Sequence, residues 1–371
     1  MTKLLKAIGL YTLLLAVIPF AILEAAFRLM PVASPPYLQP VNAANPVPRF
    51  LPNQDYVYGA SWNFAIRSHK HTNNYGFNHF ADYDPRATTP LFAVIGDSFV
   101  EAHEVDAGKS AAELLHASLR GSGRVYSFGI SGAPLSEYLA YADWARVNFR
   151  PGAIAVVIIA NDFDESLLKY KDEPRLHYFA ESGLLIRIDY QISPSKKLMR
   201  HSAFLRYVQH HLLLSHKLAA LGRRLTGKEG PDFETTMSAR LPDMKRAVDL
   251  FLEQLPARAG LPPAAIELIL DADRPAIYSD EALARARHGW LAQMRGYFAA
   301  EARRQGFQVI DLEPVFIAHH RADGQRFEFP TDKHWNELGQ RVVGGEIGKS
   351  VPFQRLFGER PMITAAAAAA R

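Results

Sequence analysis

Leu91-Phe92-Ala93-Val94-Ile95-Gly96-Asp97-Ser98-Phe99-Val100 is an apolar run of strand length that stops at Gly-Asp-Ser and gives way to a segment of helical character. A continuous apolar run closed by a glycine turn is the pattern of a strand buried on both faces. In an open α/β sheet, chemistry gathers just past the carboxyl ends of the strands, so Ser98 stands where a nucleophile would be displayed. The tripeptide by itself is a weak signal. Its weight depends on whether the chain also supplies a base, an orienting acid and donors for an oxyanion.

Downstream the chain alternates. Leu114, Leu115 and Leu119 give Ala111–Arg120 helical spacing, and Gly121-Ser122-Gly123 ends it. Val125–Phe128 reads as a second strand running into Gly129-Ile130-Ser131-Gly132, Tyr138–Val147 as a helix, and Ala153–Ile159 as a third strand ending at Ala160-Asn161-Asp162. Strand, helix, strand, helix, strand at this spacing predicts crossover units and a parallel sheet. The alternation lapses from Phe163 to Lys245. It resumes with a helix near Arg246–Leu255, a strand at Ala265–Leu270, a helix over Glu281–Gln305 and a last strand at Phe307–Leu312. A polar loop follows, Phe329-Pro330-Thr331-Asp332-Lys333-His334-Trp335-Asn336, and then a closing helix, Glu337–Lys349. The six alanines from Ala365 to Ala370 are low in complexity and carry no assignment.

The 371 residues, 48% hydrophobic and 22% charged, can bury a proper core. A net charge of +4 is far from the signature of nucleic-acid binding, and the absence of cysteine excludes disulfides, thiolate metal sites and a cysteine nucleophile. Lys3 and Lys6 precede an apolar stretch from Ala7 to Leu23. At about 17 residues this is the short end for a membrane span. No convincing small-residue cleavage site follows it, so an uncleaved anchor is favoured over a signal peptide. Lysines ahead of the span predict a single-pass inner-membrane protein with its bulk on the exported, periplasmic side. The expected organisation is a stub and anchor over 1–30, a linker and lead-in over 31–80, a catalytic domain over 81–352 with an insertion at about 163–245, and a tail over 353–371. Between Tyr190 and Lys228 the insertion holds eight Lys or Arg and no acid, with Leu198, Phe204, Leu205, Val208, Leu212 and Leu213 interleaved. The plainer reading is a helical segment packed by its apolar side, with a solvated basic face. The alternative is contact with anionic lipid or polysaccharide along 190–228.

Acyl transfer by a serine needs a base within hydrogen-bond reach, an acid to orient the base, and preorganised donors for the oxyanion. Ser98 follows strand one. Gly132 follows strand two, where a backbone N–H can approach a substrate oxygen. Asn161 follows strand three, and its amide can donate to the same oxygen. Asp332 and His334 follow the last strand. All five fall at one rim of the predicted sheet, and that joint placement is informative where no single residue is.

On these blocks, Gly96-Asp97-Ser98, Ser131-Gly132, Asn161-Asp162 and Asp332-Lys333-His334, the chain resembles the SGNH, or GDSL, hydrolase superfamily from about Leu91 to Lys349. The resemblance implies a three-layer αβα, flavodoxin-like domain with a five-stranded parallel sheet. It also implies hydrolysis or transfer of acyl groups, O-acetyl foremost, on a glycan, lipid or small ester. Ser98 would be the nucleophile, His334 the general base and Asp332 its orienting acid. The Ser98 and Gly132 backbone N–H groups and the Asn161 side chain would hold the oxyanion. No cofactor and no metal is called for. A non-catalytic envelope protein keeping the fold is the remaining reading.

Two positions depart from the family pattern. The commoner spacing puts the acid three residues before the histidine, where this chain has Thr331; Asp332, two before, resembles the Asp-x-His-Trp variant of proteins in bacterial exopolysaccharide O-acetylation. Ile159 stands where a glycine often opens the third block. Asp97 is expected to be a helix N-cap and Asp162 to be structural. The pairs His210-His211 and His319-His320 are expected to be solvated. Gly-x-Ser-x-Gly fails at Val100. Gly222–Lys228 mimics a phosphate loop without the following Ser or Thr, Glu229 standing there instead.

Overall fold

The computed structural model describes residues 2–212 and 232–358. Leu213, the basic stretch from 213 to 231 with its Gly222–Lys228 motif, and the alanine run lie outside the described residues. The chain divides into two compact units.

The smaller unit comprises Met1–Pro36, Asp55–Lys70 and Ile192–Gly230. Its first element is helical from Thr2 to Arg28, with a one-turn widening at Leu13–Val17 just ahead of Pro19. A proline lacks the N–H of a regular turn and its ring crowds the carbonyl four residues back, and a π turn is one way to absorb that. The segment Gly9–Arg28 has a mean hydropathy of 2.1 and none of it is buried, so it is long and apolar enough to cross a membrane. At the end of this helix Glu24 accepts from Ser202 Oγ (2.7 Å) and from the N–H groups of Ala203 and Phe204 (both 3.1 Å), and Arg28 donates to the His201 carbonyl (3.0 Å). Phe27 stacks on Tyr207, with ring centroids 4.2 Å apart. His211 is buried rather than solvated: its Nε2 accepts from Ala33 N–H (3.1 Å) and its Nδ1 donates to the Ser61 carbonyl (3.0 Å). Both ring nitrogens are satisfied by backbone, which is what lets an imidazole leave water.

The larger unit comprises Tyr37–Gln54, His71–Gln191 and Pro231–Arg371. Its centre is a parallel sheet of β1 (Leu91–Gly96), β2 (Arg124–Gly129), β3 (Ala153–Ile158), β4 (Ile266–Leu270) and β5 (Gln308–Asp311), in the spatial order β2-β1-β3-β4-β5. β1, β3 and β4 are buried at every residue, as the apolar runs of β1 and β3 require, and β4 carries the buried Glu267 within its own. Side chains alternate across the sheet. Ala93 and Ile95 join a core with the helices Leu135–Phe149, Leu241–Ala259 and Trp290–Arg304, while Phe92 and Val94 join a second core with Ala111–Ser118, Leu312–Asp323 and Glu337–Lys349. This is a three-layer αβα domain.

Three differences from the sequence expectation have physical causes. The helix expected over Glu281–Gln305 is two helices, Asp280–Ala286 and Trp290–Arg304, because Gly289 is extended and the new N-terminus at Trp290 finds its acceptor in Glu234 (2.8 Å). The polar loop ahead of the helix Glu337–Lys349 is a pair of antiparallel strands, Glu328–Phe329 and Asp332–Trp335. The stretch from Pro31 to Pro48 is not a free linker: Val41 and Val47 are buried, Val41 bridges to Tyr190, and Tyr141 Oη donates to the Pro48 carbonyl (2.7 Å). Proline and asparagine set the turns there, and the spaced apolar residues anchor it.

Candidate active site

The parallel register pairs Gly96 with Gly129 and Ile95 with Val156, so the segments leaving β1, β2 and β3 emerge at one edge. Asp97 caps the helix Ser98–Glu101, accepting from Phe99 N–H at 3.0 Å. That helix crosses close over β2: a Cβ on Gly129 would lie 2.8 Å from Glu101 N and 2.9 Å from the Asp97 carbonyl oxygen. Only glycine fits at that crossing.

Ser98, Gly132, Asn161, Asp332 and His334 all line one cavity of about 1590 Å³. Ser98 Oγ lies 2.8 Å from His334 Nε2, and His334 Nδ1 lies 2.5 Å from Asp332 Oδ1. The same carboxylate oxygen accepts the His334 backbone N–H at 2.8 Å. The two-residue spacing works because Asp332–Trp335 is extended, and residues two apart in a strand share a face. With Nδ1–H donated to Asp332, Nε2 is the free lone pair, and it faces the serine hydroxyl. Asp97 Oδ2 is a second acceptor for that hydroxyl, at 3.1 Å.

The electrostatics follow from these bonds. Burial works against a charged imidazole, but the Asp332 bond and the Glu104 charge outweigh it and raise His334 to about 9. Burial likewise acts to raise Asp332, and its bonds from His334 hold it below the usual carboxylate value. Asp97, fully buried, is pushed up to about 6.

Gly132 and Asn161 are tied together. Lys171 Nζ donates to the Gly132 carbonyl (2.8 Å) and to Glu165 Oε2 (2.6 Å), and Glu165 Oε2 accepts from Asn161 Nδ2 (3.1 Å). One amide hydrogen of Asn161 is thereby used and the other remains for a substrate oxygen. Gly132 adopts a left-handed φ of +80°, and Glu101 fixes the neighbouring residue by accepting Ser131 N–H at 2.7 Å and the Ser131 hydroxyl. Asp162 is structural, accepting from Tyr138 Oη (2.9 Å) and Ile159 N–H (2.8 Å).

Three contributors were not visible in the sequence. Glu104 Oε1 lies 3.2 Å from His334 Nδ1. Asp271, just past β4, accepts from Trp335 Nε1 (3.1 Å) and Arg274 Nε (3.1 Å), which fastens the Asp332–Trp335 strand over the sheet edge. Lys171 has no motif around it. A signal for Asp271 did exist, since it too follows a strand at the chemical edge. Glu104, Asp332 and His334 bring their donor atoms within 4.8 Å of one another. Of these atoms, His334 Nδ1 is bonded to Asp332 Oδ1 and lies 3.2 Å from Glu104 Oε1, so one ring nitrogen faces two carboxylates.

Residues 233–369 match the family model described as SGNH hydrolase-like domain, acetyltransferase AlgX. The match includes Asp332 and His334 and begins beyond Ser98, Gly132 and Asn161. No curated protein matches the chain. Among solved structures, the lipase/acylhydrolase from Enterococcus faecalis is similar at 10% identity over 74% of this chain and 100% of its own, with a TM-score of 0.40. The acetyl xylan esterase AlAXEase is similar at 13% identity over 70% and 99%, with a TM-score of 0.39. The lipase Lip_vut3 from goat rumen metagenome is similar at 13% identity over 72% and 100%, also with a TM-score of 0.39. Over residues 233–369, which carry β4, β5 and the Asp332–Trp335 strand, the chain is similar to this SGNH hydrolase-like family.

Proposed function

We propose that the chain is a membrane-anchored serine esterase that cleaves O-acyl esters, O-acetyl foremost, through an acyl-enzyme on Ser98. The observation that carries this reading is the unbroken line of hydrogen bonds from Ser98 Oγ through His334 to Asp332. His334 Nε2 takes the serine proton as Oγ attacks the acyl carbon. The tetrahedral oxyanion is received by the N–H groups of Ser98 and Gly132 and by the free amide hydrogen of Asn161. His334 then gives its proton to the departing alkoxide, and water repeats the sequence on the acyl-enzyme. The purified full chain in detergent should hydrolyse p-nitrophenyl acetate, and Ser98→Ala should lower kcat by about 10⁴-fold or more. A wild type that neither turns over nor reacts with a serine-directed phosphonate sinks the reading and leaves a non-catalytic envelope protein.

A second reading is transfer of the acyl group to an exported polysaccharide. The acetyltransferase named in the matched family favours it, as does a cavity of about 1590 Å³, larger than an acetyl ester needs, with the exposed Phe233 in its wall. Oligosaccharide acceptors added to an acetyl donor decide between the two. Acetylated sugar formed faster than free acetate supports transfer, and water outcompeting every acceptor supports hydrolysis.

The bonds of Glu24 and Arg28 to Ser202–Phe204 and His201 support retention of the N-terminal helix as an anchor, because cleavage would strip those partners. Lys196 and Lys197 are exposed and Leu198 is 75% exposed in the segment leading to that contact, which supports contact with anionic headgroups beside the span. The intact mass of membrane-extracted protein tests the anchor: a loss of about 25–30 residues would mean a cleaved signal.

A further inference from the structure

The helix after Ser98 is only four residues long and ends at Ala102, which is buried and left-handed (φ 50°) with its N–H bonded to the Ser98 carbonyl at 2.8 Å. This reversal sends the chain back toward the site. His103 is held aside, its Nε2 3.1 Å from Glu101 Oε1 and its Nδ1 3.3 Å from Asn78 Nδ2. Glu104 is thereby turned inward, its side chain 4% exposed and its Oε1 3.2 Å from His334 Nδ1. Among the described residues no lysine or arginine pairs with it. A buried carboxylate without a cation is costly unless something nearby becomes positive. His334, raised to about 9, carries that charge near neutral pH and regains it in each half of the proposed reaction.

We propose that Glu104 is a positioning residue, a second carboxylate that shares His334 Nδ1 with Asp332 and takes over the imidazole when Asp332 is lost. This rests on the serine-esterase reading above. The nearer Asp332 holds the Nδ1 proton in the resting site, and Glu104 contributes its charge. When the Ser98 proton arrives at Nε2, the imidazolium faces both carboxylates. If Asp332 becomes an amide, Glu104 remains as an acceptor for Nδ1–H, which keeps Nε2 free for the serine. The charged groups around this point are Asp332 on the same strand, Asp97 before the Ser98 helix, His103 beside Glu104, and Arg274, which acts on Asp332. Burial raises the Glu104 carboxyl, the His334 and His103 charges lower it, and Asp332 raises it again.

The test is the titration of His334 in the labelled full chain in detergent, its resonance assigned by loss in His334→Gln. Glu104→Gln should lower the titration midpoint by about one pH unit, and Glu104→Asp, still charged but shorter, by less. Each variant's far-ultraviolet circular dichroism establishes that it is folded. In the activity assay, Asp332→Asn should lose about 100-fold in kcat, against about 10⁴-fold for a triad whose histidine has one acid, and Asp332→Asn with Glu104→Gln should reach the larger loss. A folded Glu104 variant that titrates as the wild type does, or a double variant no worse than Asp332→Asn, overturns the proposal. The titration needs no turnover, so it stands apart from failure of the esterase reading, which would show as lost labelling at Ser98.

Discussion

His334 sets the pH behaviour at the residue scale. A base must be neutral to accept the serine proton, and burial against the cation is outweighed here by Asp332 and Glu104, raising the imidazole to about 9. On the proposed esterase reading, kcat/KM should therefore rise with pH along a limb centred near 9; a limb near the ordinary histidine value would refute the electrostatic account. The linked stability has the opposite sense. Stabilisation from the charged imidazole is fully present below about 6.5, the unfolded value, and is lost as pH rises through about 9. Asn161→Ala removes one proposed oxyanion donor and should lower kcat by about 10²–10³-fold with little change in KM, which steady-state kinetics on a soluble ester will read. Ser98, Gly132, Asn161, Asp332 and His334 were legible in the sequence because each follows a recognisable strand or sits in a family block. Glu104 was not, since only the left-handed turn at Ala102 carries it to a histidine 230 positions away, and no spacing rule anticipates that turn.

Elements decide how well those residues are held. The Lys171–Glu165 pair spans the segments after β2 and β3 and joins Gly132 to Asn161. Lys171→Met keeps the length and removes the bonds. It should lower kcat about tenfold while leaving phosphonate labelling of Ser98 intact, and equal losses in both would place Lys171 in folding instead. The helix Leu135–Phe149 ends at Arg150 in the left-handed region (φ 54°), a position that glycine occupies without strain. Arg150→Gly should stabilise the domain by about 0.5–1 kcal/mol in urea unfolding. The parallel strands were readable as apolar runs. Their neighbours were harder: the helix start at Trp290 depends on an acceptor 56 residues away at Glu234, and the Asp332–Trp335 strand depends on Asp271 fastening Trp335. Tertiary partners fix those boundaries, and local pattern does not contain them.

On the scale of the whole molecule, every candidate site residue lies in the larger unit and the apolar helix lies in the smaller one. Removing residues 1–30 should keep kcat on a soluble ester within about threefold, because the hydrogen bonds that link Ser98, His334 and Asp332 are made within the larger unit. It should also increase proteolysis within 192–212, where Ser202, Ala203 and Phe204 lose the Glu24 carboxylate. Loss of activity on truncation would tie the two units together in catalysis. The division of the chain into these units was only partly visible beforehand. The apolar N-terminal helix announced itself by hydropathy, but Val47 joins the core of the larger unit from within a proline-rich stretch whose composition suggested a linker. The most direct measurement is reaction of the full chain with a serine-directed phosphonate, followed by peptide mass mapping. The account predicts one adduct, on Ser98, lost in Ser98→Ala and slowed in His334→Gln; no adduct on Ser98, or labelling unchanged by His334→Gln, would contradict it.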